Sequence, residues 1–262
     1  MLFSKEHIKY IKKEKKEKLF IHISQLLILI LIITAWEILS GIGKINTFLT
    51  CSPSLIIKTI ITLFNQNNLF NHIWITTYET IISFILSIII GILVATILWW
   101  NKYIFKILEP YLTILNSLPK VALGPIFIIW IGANTKSIIV MALLISSIIS
   151  IITIYNGFNN TDETKIKLLK SFNASKYQIY RYLIFRSNIP TIISSLKINI
   201  SMCLIGVIMG ELLVSKEGIG YIIMYGSQVF NLNLVMTGIF LLSILAYILY
   251  FIISQIEKEL VN

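Results

Sequence analysis

The sequence predicts an all-α integral membrane protein of six transmembrane helices, with both chain ends on the inner side. Three observations carry that prediction. The first is composition: 56% of the 262 residues are hydrophobic and 13% are charged. Soluble domains hold about 45–50% apolar and about 25% charged residues, so this chain has too few charges to cover a water-exposed surface. Disorder is excluded too, because it needs low hydrophobicity and high charge. The second observation is a series of six apolar stretches of bilayer-spanning length. The third is where the lysines fall between them.

A hydrocarbon core of ~30 Å takes about 20 apolar helical residues. Residues 19–40 form the first such run, with no charge between Lys18 and Glu37. The second, 74–100, carries Glu79 near its start. The third, 108–131, is interrupted by Pro119, Lys120 and Pro125. The fourth, 137–155, is free of charge, the fifth, 189–213, holds Lys197 and Glu211, and the sixth, 233–256, is again free of charge. The chain divides into a basic tail (1–18), a first span (19–40), an external loop (41–71), a membrane domain (72–256) and a short inner tail (257–262).

A net charge of +10 in a soluble protein would point to nucleic acid. With the N-terminus inside, sixteen Lys and Arg share the inner side. Seven lie between Lys5 and Lys18, six between Lys165 and Arg186, and the rest are Lys102, Lys106 and Lys258. Lys44, Lys58, Lys136 and Lys216 fall outside. This is the positive-inside pattern. The anionic inner leaflet accounts for the charge, and no nucleic-acid partner is expected. Trp36, Trp74, Trp99, Trp100 and Trp130 all fall at span ends, where aromatic rings meet lipid headgroups. No small-residue cleavage site follows Ile33, so the first run is expected to stay as a span rather than act as a signal peptide.

Two loops are patterned. In the external loop, Ser52 can cap a helix and Pro53 suits its first position. Ile56, Ile57, Ile60, Ile61 and Phe64 then form an apolar stripe expected to lie on the outer surface or the spans, with a docking face for an external partner as the other reading. In the inner loop, Asp162 and Glu163 favour a helix N-terminus, and Ile166, Leu169 and Phe172 follow at three-residue spacing. Asn173 tolerates the left-handed conformation that ends helices. Ser175 caps a second helix with Ile179, Tyr180, Leu183 and Ile184 on one stripe, and Pro190 opens the fifth span. An amphipathic helix–turn–helix of this kind needs lipid, its own spans or another subunit to cover it.

Catalytic machinery is missing. Asp162 is the one Asp, which rules out a paired-aspartate protease. His7, His22 and His72 are scattered and form no HExxH, and neither GxSxG nor GxxxxGK[ST] occurs. Cys51 and Cys203 form no CxxC pair. No catalytic, metal or cofactor site is expected.

The stretch 167–190 (KLLKSFNASKYQIYRYLIFRSNIP) resembles the cytoplasmic signature loop of bacterial ABC-transporter permeases, roughly EAA…GAS…(W/Y)QIF…LP…LP. Ala174, Ser175, Tyr177, Gln178, Ile179 and Pro190 match that pattern. Lys167, Leu168 and Leu169 stand in place of EAA, Asn173 replaces the turn glycine, and Arg186 replaces the first proline. Residues 117–132 (SLPKVALGPIFIIWIG) and 209–221 (MGELLVSKEGIGY) are similar to stretches of the nitrate/sulfonate/taurine-type permeases, which commonly carry a Glu followed by a G-x-G turn. The resemblance implies a type I ABC importer permease of the bacterial cell membrane, not itself an enzyme. It implies a second permease subunit, taken as a copy of this chain, two cytoplasmic ATPase subunits and an external substrate-binding protein. It implies a small solute, such as a sulfonate or nitrate. It places the ATPase contact at Phe172, Asn173, Ala174, Ser175, Lys176 and Tyr177.

Charges inside spans are functional candidates because they are costly there. Glu37 and Glu109 lie at span ends, in solvent. Glu79 is expected to face a neighbouring helix, and Lys197 to snorkel towards the inner face. Lys120 follows Pro119 in an irregular stretch, where it either presents charge to an anionic solute or pairs with Glu211. Asn116, Ser117, Lys120, Ser146, Ser150, Asn199 and Glu211 are candidates for a translocation path, with Ser194 and Ser201 beside them. Such residues also serve as hydrogen-bonding glue between helices. Two other readings stay open: an ion-coupled secondary transporter working through Glu79 or Glu211, which leaves the patterned loop unexplained, and a structural membrane subunit without transport.

Overall fold

A computed structural model describes residues 5–42, 51–66 and 68–261. Parts of the basic tail, the external loop and the short inner tail lie outside the described residues. Helix α1 (Lys5–Gly41) contains the first apolar run, whose residues 27–33 are all exposed. Helix α2 (Pro53–Asn65) begins as its sequence requires. The Leu55 amide donates to Ser52 Oγ at 3.3 Å, and Pro53 occupies the first turn. Glu37 is not left to solvent; it accepts a 3.1 Å bond from the Ser54 amide and ties α1 to α2.

Three long helices make the centre: α3 (Leu69–Trp100), α6 (Thr135–Asn159) and α10 (Ile189–Val214). They approach closely because small residues sit at the crossings. A Cβ on Gly91 of α3 would meet Ser150 Cβ of α6 at 2.7 Å. On α10, a Cβ on Gly206 would meet Ala142 Cα at 2.5 Å, and one on Gly210 would meet Ile138 Cα at 3.0 Å. Around this centre pack α11 (Ile219–Gln228) and α12 (Leu232–Val261), with Leu241, Leu245, Leu249 and Ile253 turned into the core.

The third apolar run is not one straight helix. Helix α4 (Lys102–Ser117) stops at Leu118, and a 3₁₀ turn (Lys120–Leu123) leads into α5 (Gly124–Ile131) at an angle of 91° to α4. The cause is Pro119. Its ring disfavours helical geometry at the preceding residue, and Leu118 is extended at ψ 140°. Pro125 then sits in the first turn of α5, where a missing N–H costs nothing. Among the described residues, five helices are long and apolar enough to cross a membrane, and the bent pair makes a sixth crossing if counted as one.

The loop between α6 and α10 folds as helix–turn–helix. Helix α7 (Glu163–Ser171) is capped by Asp162, which accepts from the Thr164 amide at 2.8 Å. That bond holds the Asp162 carboxyl below the usual carboxylate range. Asn173 takes φ +56°, the left-handed turn its residue type allows. Helix α8 (Lys176–Ile179) starts with a capping box between Ser175 and Gln178, and runs through a π-helical turn (Tyr180–Ile184) into α9 (Phe185–Ser187). Lys197 reaches towards the inner end of α12, where it forms an ion pair with Glu257.

Candidate functional site

One end of the bundle carries the patterned loop. Its turn projects from the body: Phe172 is 74% exposed and Tyr177 56% exposed. The second helix does the opposite, with Ile179 and Ile184 buried in a cluster with Leu98, Ile154 and Phe158. The loop is therefore anchored through one face and presents aromatic side chains on the other. Phe172, Asn173, Ser175, Lys176 and Tyr177 are exposed and Ala174 is half-buried, so the six residues expected to meet an ATPase form one protruding turn.

Ser150 and Asn199 lie in the middle of the bundle, both buried. The Asn199 amide donates to Ser87 Oγ at 3.0 Å and to Ser150 Oγ, while Cys203 Sγ lies 3.2 Å from its carbonyl. Ser146 donates back to its own helix at Ala142 O, at 2.7 Å. This geometry joins α3, α6 and α10 through one amide. Replacing Asn199 with leucine removes those bonds and is expected to cost about 1–2 kcal/mol of helix association. Thermal unfolding in detergent reads that loss. Unchanged stability with lost uptake would instead make Asn199 a path residue.

At the opposite end, the stretch from Glu211 to Tyr221 closes on itself. Glu211 is fully buried. Its carboxylate accepts from Thr76 Oγ1 at 2.7 Å and from the Gly220 amide at 2.6 Å. The Ile219 amide donates to Thr76 Oγ1 at 2.8 Å, and the Gly218 amide to His72 Nδ1 at 2.9 Å. The Glu211 carboxyl thus sits at the N-terminus of α11 and satisfies the Gly220 amide of its first turn. The glycines are required by contact. A Cβ on Gly218 would lie 2.4 Å from Glu211 Cδ, and one on Gly220 would lie 2.7 Å from Glu211 Cβ.

Lys120 and Glu211 do not meet in this arrangement. Lys120 Nζ donates to Asn116 O at 3.1 Å, across the break between α4 and α5, while Glu211 is held by Thr76 and Gly220. Asn116 and Ser117 are exposed beside that break. Glu79 does face its neighbours: it lies beside Glu211 and Thr135, with no hydrogen bond of good geometry to either. A cavity of about 790 Å³, lined by Tyr78, Asn134, Thr135, Ser215 and Lys216, opens over it. His72 and Thr76 are further site residues, one turn apart at the start of α3 and followed a turn later by Glu79, a spacing visible in the sequence. Gly206 and Gly210 were likewise legible as a small-xxx-small pair.

A bundle of apolar helices with a basic, protruding loop at one end is the architecture of a multi-span membrane protein. Residues 87–262 match the family described as binding-protein-dependent transport system inner membrane component, and the chain belongs to that family. SsuC of Bacillus subtilis, named for aliphatic sulfonates transport, is 24% identical, over 98% of this chain and 94% of its own. The formylaminopyrimidine transport permease protein ThiX of Halalkalibacterium halodurans is 28% identical, over 89% and 93%. Among solved structures, the fold is similar to a chain of the inward-facing MetNI methionine ABC transporter. The TM-score is 0.63 at 19% identity, covering 72% of this chain and 94% of that one. The protein is the permease subunit of an ABC importer in the bacterial cell membrane, and ATP hydrolysis belongs to a partner subunit. Family membership displaces the ion-coupled and purely structural readings.

Proposed function

We propose that this chain forms half of the membrane path of an importer, with a second copy supplying the other half. In this reading both termini and the loop 160–188 face the cytoplasm, and the Glu211 turn faces outward. Residues 72–256 are the permease domain, and α1 is an added span before it. The turn Phe172–Tyr177 docks in a groove of the ATPase, a helix-in-groove contact. One observation carries this: a loop anchored through Ile179 and Ile184 holds Phe172 and Tyr177 out in solvent. The orientation is supported by the inner clustering of lysines.

The path is proposed to run along the α4–α5 break. Irregular backbone at membrane depth is stable only where it is buried in protein or lines an aqueous cavity. The break at Leu118–Pro119 is exposed on this subunit, so a second subunit and the path between them are what covers it. Asn116, Ser117 and Lys120 lie on that break, and Lys120 favours a solute with an anionic or hydrogen-bond-accepting group. Ser150, Asn199 and Glu211 lie inside the subunit and bond its helices together, and Ser146 is buried beside them.

Co-expression with candidate ATPase and binding-protein subunits, followed by ATPase assays in liposomes, tests this function. The solute panel includes sulfonates, taurine and a formylaminopyrimidine. Hydrolysis stimulated by the loaded binding protein is expected. A chain that co-purifies with no ATPase would overturn the reading.

A further inference from the structure

The protruding turn is bolted to the C-terminal end of α3 by Lys176 and Tyr180. Lys176, three residues past the left-handed Asn173, reaches the last carbonyl of α3. Its Nζ donates to Trp100 O and lies over the Trp99 and Trp100 rings, 5.8 and 5.5 Å from their centroids. A cation at a helix C-terminus meets the negative end of the helix dipole, and cation–π attraction adds to it. One turn on, the Tyr180 ring packs among Trp99, Phe158 and Phe185, with centroids 5.4, 5.9 and 6.1 Å away. Thr96 uses its hydroxyl proton on Ile92 O, at 2.7 Å, so Tyr180 OH is the donor in their 2.7 Å bond.

These contacts select one spanning helix. Lys176 and Tyr180 both grip the stretch Thr96–Trp100 of α3. The π-helical turn begins at Tyr180, and such turns are frequent at functional sites. A displacement of the turn is thereby delivered to the end of α3, whose other end holds His72, Thr76 and the Glu211 turn.

We infer that Lys176 and Tyr180 form a latch that transmits motion of the docked turn to α3, so that Lys176 acts as a positioning residue rather than as a contact to the ATPase. The inference rests on the docking proposed above, borne by the outward Phe172, Asn173, Ser175 and Tyr177, with the Lys176 side chain turned back onto α3. It predicts a defect in coupling without a defect in assembly.

The test uses the full complex in liposomes, comparing Lys176→Met, which keeps the stem without the charge, Lys176→Arg, Tyr180→Phe and Ala174→Glu. Two quantities are measured: ATPase co-purified per permease, and, for whichever of the sulfonates, taurine or formylaminopyrimidine stimulates hydrolysis, solute moved per ATP hydrolysed. Lys176→Met and Tyr180→Phe are expected to keep native ATPase content while solute moved per ATP falls roughly three- to tenfold, and Lys176→Arg is expected to restore it. Ala174→Glu is expected to lose the ATPase. If Ala174→Glu loses the ATPase while Lys176→Met and Tyr180→Phe keep the native ratio, the latch is wrong and the docking stands. Loss of ATPase content from Lys176→Met, at a native ratio in what remains, also overturns it by making Lys176 a docking contact. If Ala174→Glu keeps full ATPase content and transport, the docking reading fails and takes the latch with it.

Discussion

Gly218→Ala is expected to destroy the turn that closes the end of the bundle around Glu211. Gly218 has φ +99° and ψ 167°, a region essentially confined to glycine, where another residue costs about 1–3 kcal/mol. The added methyl would also lie 2.4 Å from the Glu211 carboxyl carbon. That carboxylate cannot move without giving up Thr76 and Gly220, and a buried polar group left without partners costs a further 1–3 kcal/mol or so. Against a total stability of about 5–15 kcal/mol, the sum removes a large share. Thermal unfolding of the purified permease should show a large drop in Tm, with little full-length protein retained in membranes. Glu211→Gln, which keeps size and one acceptor, should be milder. A native Tm for Gly218→Ala would mean that the turn is not packed as described.

Gly206→Leu should be comparably severe, for a different reason. The obstruction at Gly206 is backbone, with Ala142 Cα at 2.5 Å and Ala142 N at 3.2 Å from an added Cβ. No rotamer change relieves it, so α6 and α10 must separate. Overpacking typically costs about 1–3 kcal/mol, and here it also pulls Ser150 away from Asn199, whose amide joins the three central helices. The expected result is reduced insertion yield and a lowered Tm, with Gly206→Ala intermediate. Full yield and Tm for Gly206→Leu would contradict the close crossing.

Much of this architecture was readable along the chain because it rests on local rules. Ser52, Asp162 and Ser175 cap helices, Asn173 turns left-handed, and Pro190 lies in the first turn of α10, as their residue types dictate. Length and hydropathy located the long apolar helices. What resisted was long-range. Pro119 announced an interruption, but the 91° bend depends on what α5 packs against. Glu211 stood out as a costly intramembrane charge, yet nothing near it in sequence told that its partner is Thr76, 135 residues away. Lys197 was readable as a cation near an inner face, while its pairing with Glu257 requires α12 to lie alongside. The same limit applies to polar residues in spans. Asn199 and Asn116 look alike as candidates, and only packing separates the buried one from the one beside the break.

The coupling account, with its latch, depends on the turn at Phe172–Tyr177 being the place where the ATPase is held. The most direct measurement is site-specific photo-cross-linking from that turn. Cys51 and Cys203 are both buried, so a benzophenone maleimide on Phe172→Cys reacts at the exposed position. Lys216→Cys, at the opposite end, serves as the comparison. In the assembled complex, irradiation is predicted to join the label at 172 to the ATPase subunit, and the label at 216 to no cytoplasmic protein. An ATPase adduct from 216, or none from 172 in a complex that co-purifies intact, would contradict the account.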